Sequence, residues 1–497
     1  NWIQPAWGNQ SMVGEQKFYF LNEYHNVTNK RDWNNGLWTK LWLYNLHYFN
    51  DLTAIDADQR TDWHRNLIQR WINENPPSKG NGWEPYPSSL RIVNWIKWGL
   101  AGNQLDESWV HSLAVQVRFL SQNLETHLLG NHLFANAKAL LFAGLFFDDE
   151  EAEGWYQMGL QLIEQELPEQ VLEDGGNFEL STMYHIIFLV DMLDIVNIHK
   201  VYDRSLPEGV EQRIEPMFHW LKTMCHPDGE ISFFNDAALG ITPSVDELIR
   251  YSERLGFCSS QVNLVFIDFP DSGYSRIAIG DAVAIVDRAS LGPDYLPAHA
   301  HADTLSFELS LFGQRVIVNS GTSVYGISPE RQRQRGTATH STITIDGKNS
   351  SEVWGVFRVA RRAKVINRIN VEHDNLIYLS ACHDGYQRFA SKLLHCRGWS
   401  FFGHSLEIQD QISGYGTHSI SLVLPLHPEI KINRVAKNQA FSEIGKNRVE
   451  FKFYGKGSLC LEKSTFHPEF GLSIENSQLI FRFTGLLPTE IKTTIRW

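Results

Sequence analysis

The 497-residue chain is poor in three things. It has only five cysteines, Cys225, Cys258, Cys382, Cys396 and Cys460, widely spread, odd in number and without a Cys-x-x-Cys, so no disulfide framework is implied. It has no apolar run approaching the ~18 residues of a membrane-crossing helix, so no membrane span is expected. It is short of positive charge: 44 Lys and Arg stand against 57 Asp and Glu, for a net charge of −13. A surface of that sign argues against non-specific binding to nucleic acid or to anionic membrane. It leaves room for an anionic substrate, because a cleft can be locally basic on an acidic protein.

What is present is apolar and aromatic. The chain is 43% hydrophobic and 20% charged, enough for two or three domains with large cores. Sixteen Trp, sixteen Tyr and 29 Phe supply flat rings that pack cores and also stack on sugar faces; core packing accounts for most of them.

The hydrophobic period divides the chain. Residues 1–35 are polar and read as irregular. Helical spacing then runs to about residue 256, over 37–52, 62–73, 88–99, 108–124, 131–147, 150–167, 178–201, 207–224 and 244–255. In the sixth, Leu160, Ile163 and Leu167 form a stripe that ends at Pro168. Paired helices with short Gly/Pro/Asn connections predict a toroid of hairpins. From about residue 263 the period is two, over 274–279, 282–286, 305–311, 315–319, 341–345, 420–424, 449–453 and 479–483, with a turn signal at Asp346-Gly347. Strands with no helices between them predict an antiparallel β-sandwich. The expected organisation is an irregular segment at 1–35, an (α/α) toroid at 36–262 and a β-sandwich at 272–497, joined around Phe269-Pro-Asp-Ser-Gly273.

Four clusters carry candidate chemistry. Pro297-Ala-His299-Ala-His301-Ala-Asp303 precedes the strand pattern in which Leu305, Phe307, Leu309 and Leu311 alternate with polar residues. If the extended conformation already holds there, both imidazoles share one face; imidazole moves protons near neutral pH and ligates metals. Alone, the pair reads as two solvated histidines. Gly130-Asn131-His132 opens a helix, where backbone donors and the dipole favour an anion, although Asn131 alone reads as an N-cap. Glu173-Asp-Gly-Gly-Asn177-Phe-Glu179 leads into a helix carrying Tyr184. Glu179 and Tyr184 are five apart, so they are not stacked on one helix face and are placed to line two flanks of a cleft. Arg333-Gln-Arg335 precedes His340 at a strand start. Weaker candidates mix aromatics with amides or charge, as a sugar-binding groove does: Tyr86, Arg91 and Asn94, and Asn235 beside Asp236.

The order NHLxxNAKALLFAGLFF, DGGxFExSxMYH, HxHADxLSFELS and then a basic segment with THST resembles the heparinase II/III-like polysaccharide lyases over most of the chain. The resemblance implies an (α/α) toroid followed by an antiparallel β-sandwich, with the active site in a cleft between them. It implies β-elimination on a uronic-acid polysaccharide, a glycosaminoglycan such as heparan sulfate, chondroitin sulfate or hyaluronan, or alginate. Asn131 then neutralises the substrate carboxylate with His132 as helper, Tyr184 is general acid and a candidate base, and His299 is a base candidate. Glu179 and Arg335 orient the site or bind substrate, with Tyr86, Arg91, Asn94 and Asn235 as further contacts. Residues matching His301 and His340, with an acidic residue on the next strand, commonly hold a structural zinc in the family. Here Asn319 stands where aspartate is expected, and a neutral amide is a weaker zinc ligand; no cofactor is needed for the chemistry itself. An enzyme of this kind with few cysteines is expected in the periplasm or outside a bacterial cell. Nothing in the pattern sets an oligomeric state.

Two other readings stay open. A glycoside hydrolase needs two carboxylates spanning the bond, for which Glu179 and Asp236 are available. A non-catalytic polysaccharide-binding protein needs only the aromatic and basic clusters. A cupin-type metal site at His299 and His301 is more remote, because Glu308 comes too late after them.

Overall fold

The computed structural model describes residues 1–257, 264–373 and 376–497. The expected domain edge at residue 262 lies outside the described residues. The described chain divides into two compact units. One comprises Asn1–Gly175, Ile186–His219 and Gly240–Ser260; the other comprises Gly176–His185, Trp220–Leu239 and Gln261–Trp497. The division corrects the expected boundaries: two stretches of the helical region belong with the strands. They are the stretches that carry Glu179, Tyr184, Asn235 and Asp236. The first strand of the β region, Phe266–Asp268, also begins before residue 272.

In the first unit all nine expected helices form: Lys40–Tyr48, Thr61–Glu74, Pro85–Leu100, Glu107–Ser121, Gly130–Phe146, Glu150–Gln170, Thr182–Tyr202 (from Ile186 on), Val210–Thr223 (as far as His219) and Val245–Arg254. Their ends follow local chemistry. Asp149 caps Glu150–Gln170 by accepting from the Ala152 amide at 2.7 Å, and three glutamates in the first turn suit the dipole. Pro168 does not end that helix, as its position suggested; it sits in the last turn, where the cost is one missing hydrogen bond. Pro85–Leu100 packs on both Lys40–Tyr48 and Gly130–Phe146, while Thr61–Glu74 packs on Glu107–Ser121. This alternation of inner and outer helices makes the α/α toroid. Gly130–Phe146 and Glu150–Gln170 pack closely enough that a Cβ on Gly144 would lie 2.5 Å from the Tyr156 backbone, and one on Gly159 2.7 Å from the Ala137 carbonyl. Residues 12–26, expected to be irregular, form a small antiparallel sheet of Met12–Gly14, Lys17–Phe20 and Glu23–Asn26. Buried Met12 and Phe18 anchor a sheet whose strands are too short to show a period.

Among the described residues the second unit holds three large antiparallel sheets and one two-stranded hairpin. Five strands form a meander: Phe266–Asp268, Tyr274–Ile279, Ala282–Asp287, Phe307–Leu311 and Gln314–Ile317. A four-stranded sheet runs in the order Ser458–Phe466, Ile474–Leu486, Thr417–Pro425, Ile343–Ile345. An eight-stranded sheet is built on Leu376–His383, Leu394–Phe402, Ser405–Ser413 and Thr489–Arg496. One continuous core joins them, with Phe307 and Leu309, Leu422 and Phe481, and Leu379, Trp399 and Ile408 drawn from the three sheets in turn. Cys382 and Cys396 stand opposite each other on adjacent strands and form a disulfide, which cysteine spacing had not implied.

Candidate active site

The site in the second unit starts from a turn. Asn177 takes the Leu180 amide on its carbonyl and the Glu179 amide on its side chain, and Leu180 is left at φ +58°. Leu180, Asn235 and Leu305 are non-glycine residues with left-handed backbone, all in segments that carry site residues. Such conformations persist where surrounding structure enforces them. Beyond the turn, Glu179 and Tyr184 meet the same imidazole. The buried carboxylate of Glu179 accepts a hydrogen bond from His299 Nδ1. The Tyr184 ring stacks on the His299 ring, 3.7 Å between centroids and 17° between planes. A carboxylate only accepts, so Nδ1 carries a proton, and in the neutral ring Nε2 presents a lone pair. The two residues therefore do line two sides of one feature, although neither His299 nor His301 lies in a strand: the strand begins only at Phe307.

Behind Tyr184 lies a second shell of charge. Its hydroxyl is 3.1 Å from that of Tyr325. Asp236 is fully buried and paired with Arg331, whose Nη2 is 2.7 Å from Oδ2 and whose Nη1 bonds Oδ1. It also accepts from His301 Nε2 at 2.8 Å and from the Thr322 hydroxyl at 3.2 Å. Burial pushes the Asp236 carboxyl up, but Arg331 and His301 outweigh burial and hold it well below the usual carboxylate range. Burial raises Tyr184 well above the ordinary phenol value, and Tyr325, Asp236 and Glu179 push the same way. The phenol is thus held protonated, as a general acid requires.

Tyr325 and Arg331 are the functional residues that sequence reasoning missed. Tyr325 is a lone tyrosine in a loop without periodicity. Arg331 lies one step before the arginines that were singled out. In helix Pro329–Gln334 residues 331 and 335 fall one turn apart, so Arg331 and Arg335 point to one side. Arg333 instead pairs with Glu330.

Several expected contacts prove to be scaffold. Arg335 is fully buried and gives Nε and Nη2 to the Ala300 carbonyl and Nη1 to Val356, so it orients the histidine loop and has no free fork for a substrate anion. Asn235 spends its amide on Leu180 O and the Tyr274 hydroxyl and its oxygen on the His301 amide. Arg91 lies in the core, 3.8 Å from the Trp71 ring centroid, bound to Gln116 and the His47 carbonyl. Asn94 ties the Tyr48 carbonyl to Asn50. Glu308, the remote cupin candidate, is buried against His226.

The expected metal position offers His301, Asn319 and His340 as donors. His301 gives Nε2 to Asp236, and His340 gives Nδ1 to Asn319 Oδ1 at 3.0 Å; the other nitrogen of each ring is buried without a hydrogen-bond partner. Two imidazoles thus present lone pairs, as ligands would. The third position does not fit, because the Asn319 oxygen is already the acceptor for His340. No group of three His, Cys, Asp or Glu side chains among the described residues is placed to hold a metal. A closed structural zinc site takes four ligands, so His301, Asn319 and His340 do not make one, and no step below passes through a metal.

The first unit carries its own cluster. Asn131 is not an N-cap: the cap position is Leu129, at φ +59°, and Asn131 is the second residue of the helix, among its unpaired amides. Its side-chain amide makes no hydrogen bond to protein among the described residues, which leaves it available to a ligand. His132 gives Nδ1 to Glu125 at 3.0 Å and stacks on Tyr86 at 4.3 Å between centroids. Asn136 holds Glu125 from the other side.

Residues 37–259 match the model of the heparinase II/III N-terminus, and residues 263–497 match that of the heparinase II/III-like C-terminal region. The chain belongs to the heparinase II/III-like family. A heparin-sulfate lyase of Bacteroides stercoris is 28% identical over 253 residues, covering 46% of this chain and 38% of that protein. One from Pedobacter heparinus is 27% identical over 251 residues, with the same coverage. The matched region thus spans well under half of those relatives. A crystal structure of heparinase III superposes with a TM-score of 0.74 at 18% identity, over 91% of this chain and 76% of that one. That likeness establishes the fold: a helical toroid and a β-sandwich.

Proposed function

We propose that the chain is a polysaccharide lyase that cleaves a uronic-acid-containing glycosaminoglycan by β-elimination. The observation that carries this reading is the Glu179–His299–Tyr184–Tyr325 cluster. It sets a candidate base and a candidate acid in van der Waals contact, the imidazole Nδ1–H held by Glu179 and the phenol hydrogen-bonded to Tyr325.

In the proposed step His299 Nε2 takes the C5 proton of the uronate. The C4–O bond breaks, the C4–C5 double bond forms, and Tyr184 gives its proton to the leaving oxygen. The imidazolium is stabilised by Glu179 and returns its proton to the Tyr184 phenolate after product leaves, so the protons balance. Tyr184 as base would need nearby positive charge; Asp236 and Glu179 act in the opposite sense, which favours His299 in that role. The proton at C5 is removable once the adjacent carboxylate is neutralised, a task for preorganised donors. The family resemblance assigns that task to Asn131, whose side chain makes no hydrogen bond to protein among the described residues, and the similarity to heparin-sulfate lyases supports a sulfated substrate. The hydrolase alternative loses its pair of carboxylates, since Glu179 is held by His299 and Asp236 by Arg331 and His301. A periplasmic or secreted location goes with this reading; the Cys382–Cys396 disulfide supports it, because disulfides persist in oxidising compartments. Thiol titration of the unfolded protein isolated from that compartment should find two fewer thiols than after reduction; equal counts would count against it.

The test is ultraviolet absorbance during incubation with heparan sulfate, chondroitin sulfate, hyaluronan and alginate, with Asn131→Ala run beside the parent. A rise with the parent, lost with the variant, supports elimination and the role of Asn131. Release of reducing ends without absorbance would point to hydrolysis instead.

A further inference from the structure

A short hairpin in the second unit pairs Val353–Trp354 with Arg358–Val359. At its turn Phe357 sets its ring edge-on to His299, 6.0 Å between centroids, and 5.2 Å from Tyr325. The turn is held from within: the Gly355 carbonyl accepts from Gln332, and the Val356 carbonyl accepts from Arg331 Nε at 3.1 Å and Arg335 Nη1 at 3.0 Å. Arg331 is the residue paired with Asp236 and Arg335 the one on Ala300, so the hairpin is fixed to the same scaffold that sets His299.

Despite that rigid base, its aromatic side chains are open. Trp354 is 49% exposed and Phe357 40%. The Arg358 guanidinium lies 5.0 Å from the Trp354 ring centroid. Next to Trp354 is an open depression of about 560 Å3, lined among others by Lys348, Asn349, Glu352, Arg361 and Arg388. Glu352 is the one acid of that lining, and it is occupied by Arg361 at 2.6 Å. Lys348 and Arg358 make no ion pair among the described residues. On a chain of net charge −13, this is a local excess of positive charge beside an exposed indole.

An isolated surface tryptophan needs no explanation. A preorganised one, stacked with a free guanidinium at the mouth of a basic depression, is a recognition surface: the ring offers a face to a pyranose, and the cations offer donors to its carboxylate or sulfate. We propose that the Trp354–Arg358 hairpin, with Lys348, is a subsite for an anionic sugar residue of the polymer next to the one that reacts at His299 and Tyr184. The proposal rests on the lyase reading for its substrate class, but its test does not need turnover.

The test is affinity electrophoresis of the parent, Trp354→Ala and Arg358→Gln through gels containing heparan sulfate, hyaluronan or dextran, with melting temperatures measured in parallel. The subsite predicts retardation of the parent by an anionic polymer but not by dextran. It predicts apparent affinities about tenfold weaker in each variant, with melting unchanged because both side chains are exposed. Equal retardation of parent and variants overturns it, as does retardation of the parent by dextran alone. If the parent gives no elimination product with any polymer yet shows hairpin-dependent retardation, the lyase reading fails and the subsite stands.

Discussion

Glu179→Gln isolates what the carboxylate behind His299 contributes. The substitution keeps size and an acceptor oxygen, so the imidazole keeps its place and its Nδ1 proton. What is lost is charge. In the resting state a hydrogen bond to a charged partner contributes about 1.5–3 kcal/mol, roughly twice a neutral one, so about half is forfeited. In the proposed transition state the ring is becoming an imidazolium in direct contact with this buried group. Two unit charges about 4 Å apart at an effective dielectric near 20 interact by about 4 kcal/mol. The barrier should therefore rise by about 2–4 kcal/mol, a fall in kcat of roughly 30- to 1,000-fold. KM should hold, because Glu179 faces the ring and not the substrate. The melting temperature should move little, since an amide fills the same space. Initial rates of product absorbance, with thermal melts of both proteins, check this. A kcat within threefold of the parent would refute the role of the carboxylate; a matching loss of fold would show that it is structural.

Asp236→Asn should destabilise the protein by about 3–5 kcal/mol in urea unfolding, because it leaves Arg331 as an uncompensated buried charge. The same pairing has a pH signature. With the folded carboxyl held below its unfolded value, its stabilisation is complete above the unfolded pKa of about 3.9 and is lost as pH falls below it. Unfolding of the parent should steepen in acid more than that of the variant, and parallel curves would contradict the assignment. Since burial and neighbouring anions raise Tyr184, the kcat profile should show no loss centred near the free phenol value of about 10; a fall with that midpoint would show a normal phenol. Asn319→Asp supplies a carboxylate beside His340. With three protein ligands the variant would make an open site whose fourth position water fills; it should retain more zinc than the parent after dialysis and gain about 2.7 kcal/mol at a zinc concentration 100 times its Kd, measured by metal analysis and melting. Equal zinc content in parent and variant would show that Asn319 is not what sets binding.

The fold was largely legible because both halves carry strong periods. All nine helices and the strands with clean alternation fall where apolar spacing put them. The strands that escaped notice have identifiable reasons. Leu394–Phe402 and Ser405–Ser413 carry buried His395, Arg397 and Asp410, tied together by hydrogen bonds, where alternation calls for apolar residues. Val365–His373 is an edge strand and almost wholly exposed, so burial imposes no pattern on it. In the site, Tyr184, His299 and Glu179 could be found because each sits in a dense local motif. Asn235 and Arg91 were read as substrate contacts, and Arg335 as either an orienting or a substrate-binding residue, for one reason: a charged or amide side chain looks the same in sequence whether it faces a ligand or satisfies buried carbonyls. The reach of Tyr325 and Arg331 into the site is set by tertiary contacts across 141 and 95 residues, which no local window contains.

The account stands on Tyr184 giving its proton to the leaving oxygen. The most direct test is ultraviolet absorbance of the unsaturated-uronate product for parent and Tyr184→Phe on the polymer the parent cleaves, at matched folded concentration. Removing a general acid should cost roughly 100- to 10,000-fold in kcat, while the phenylalanine ring keeps its stack on His299 and the melting temperature stays close to the parent's. A Tyr184→Phe protein that is folded and retains more than about a tenth of the parent rate would contradict the mechanism, because an effect that small is below what general acid catalysis contributes.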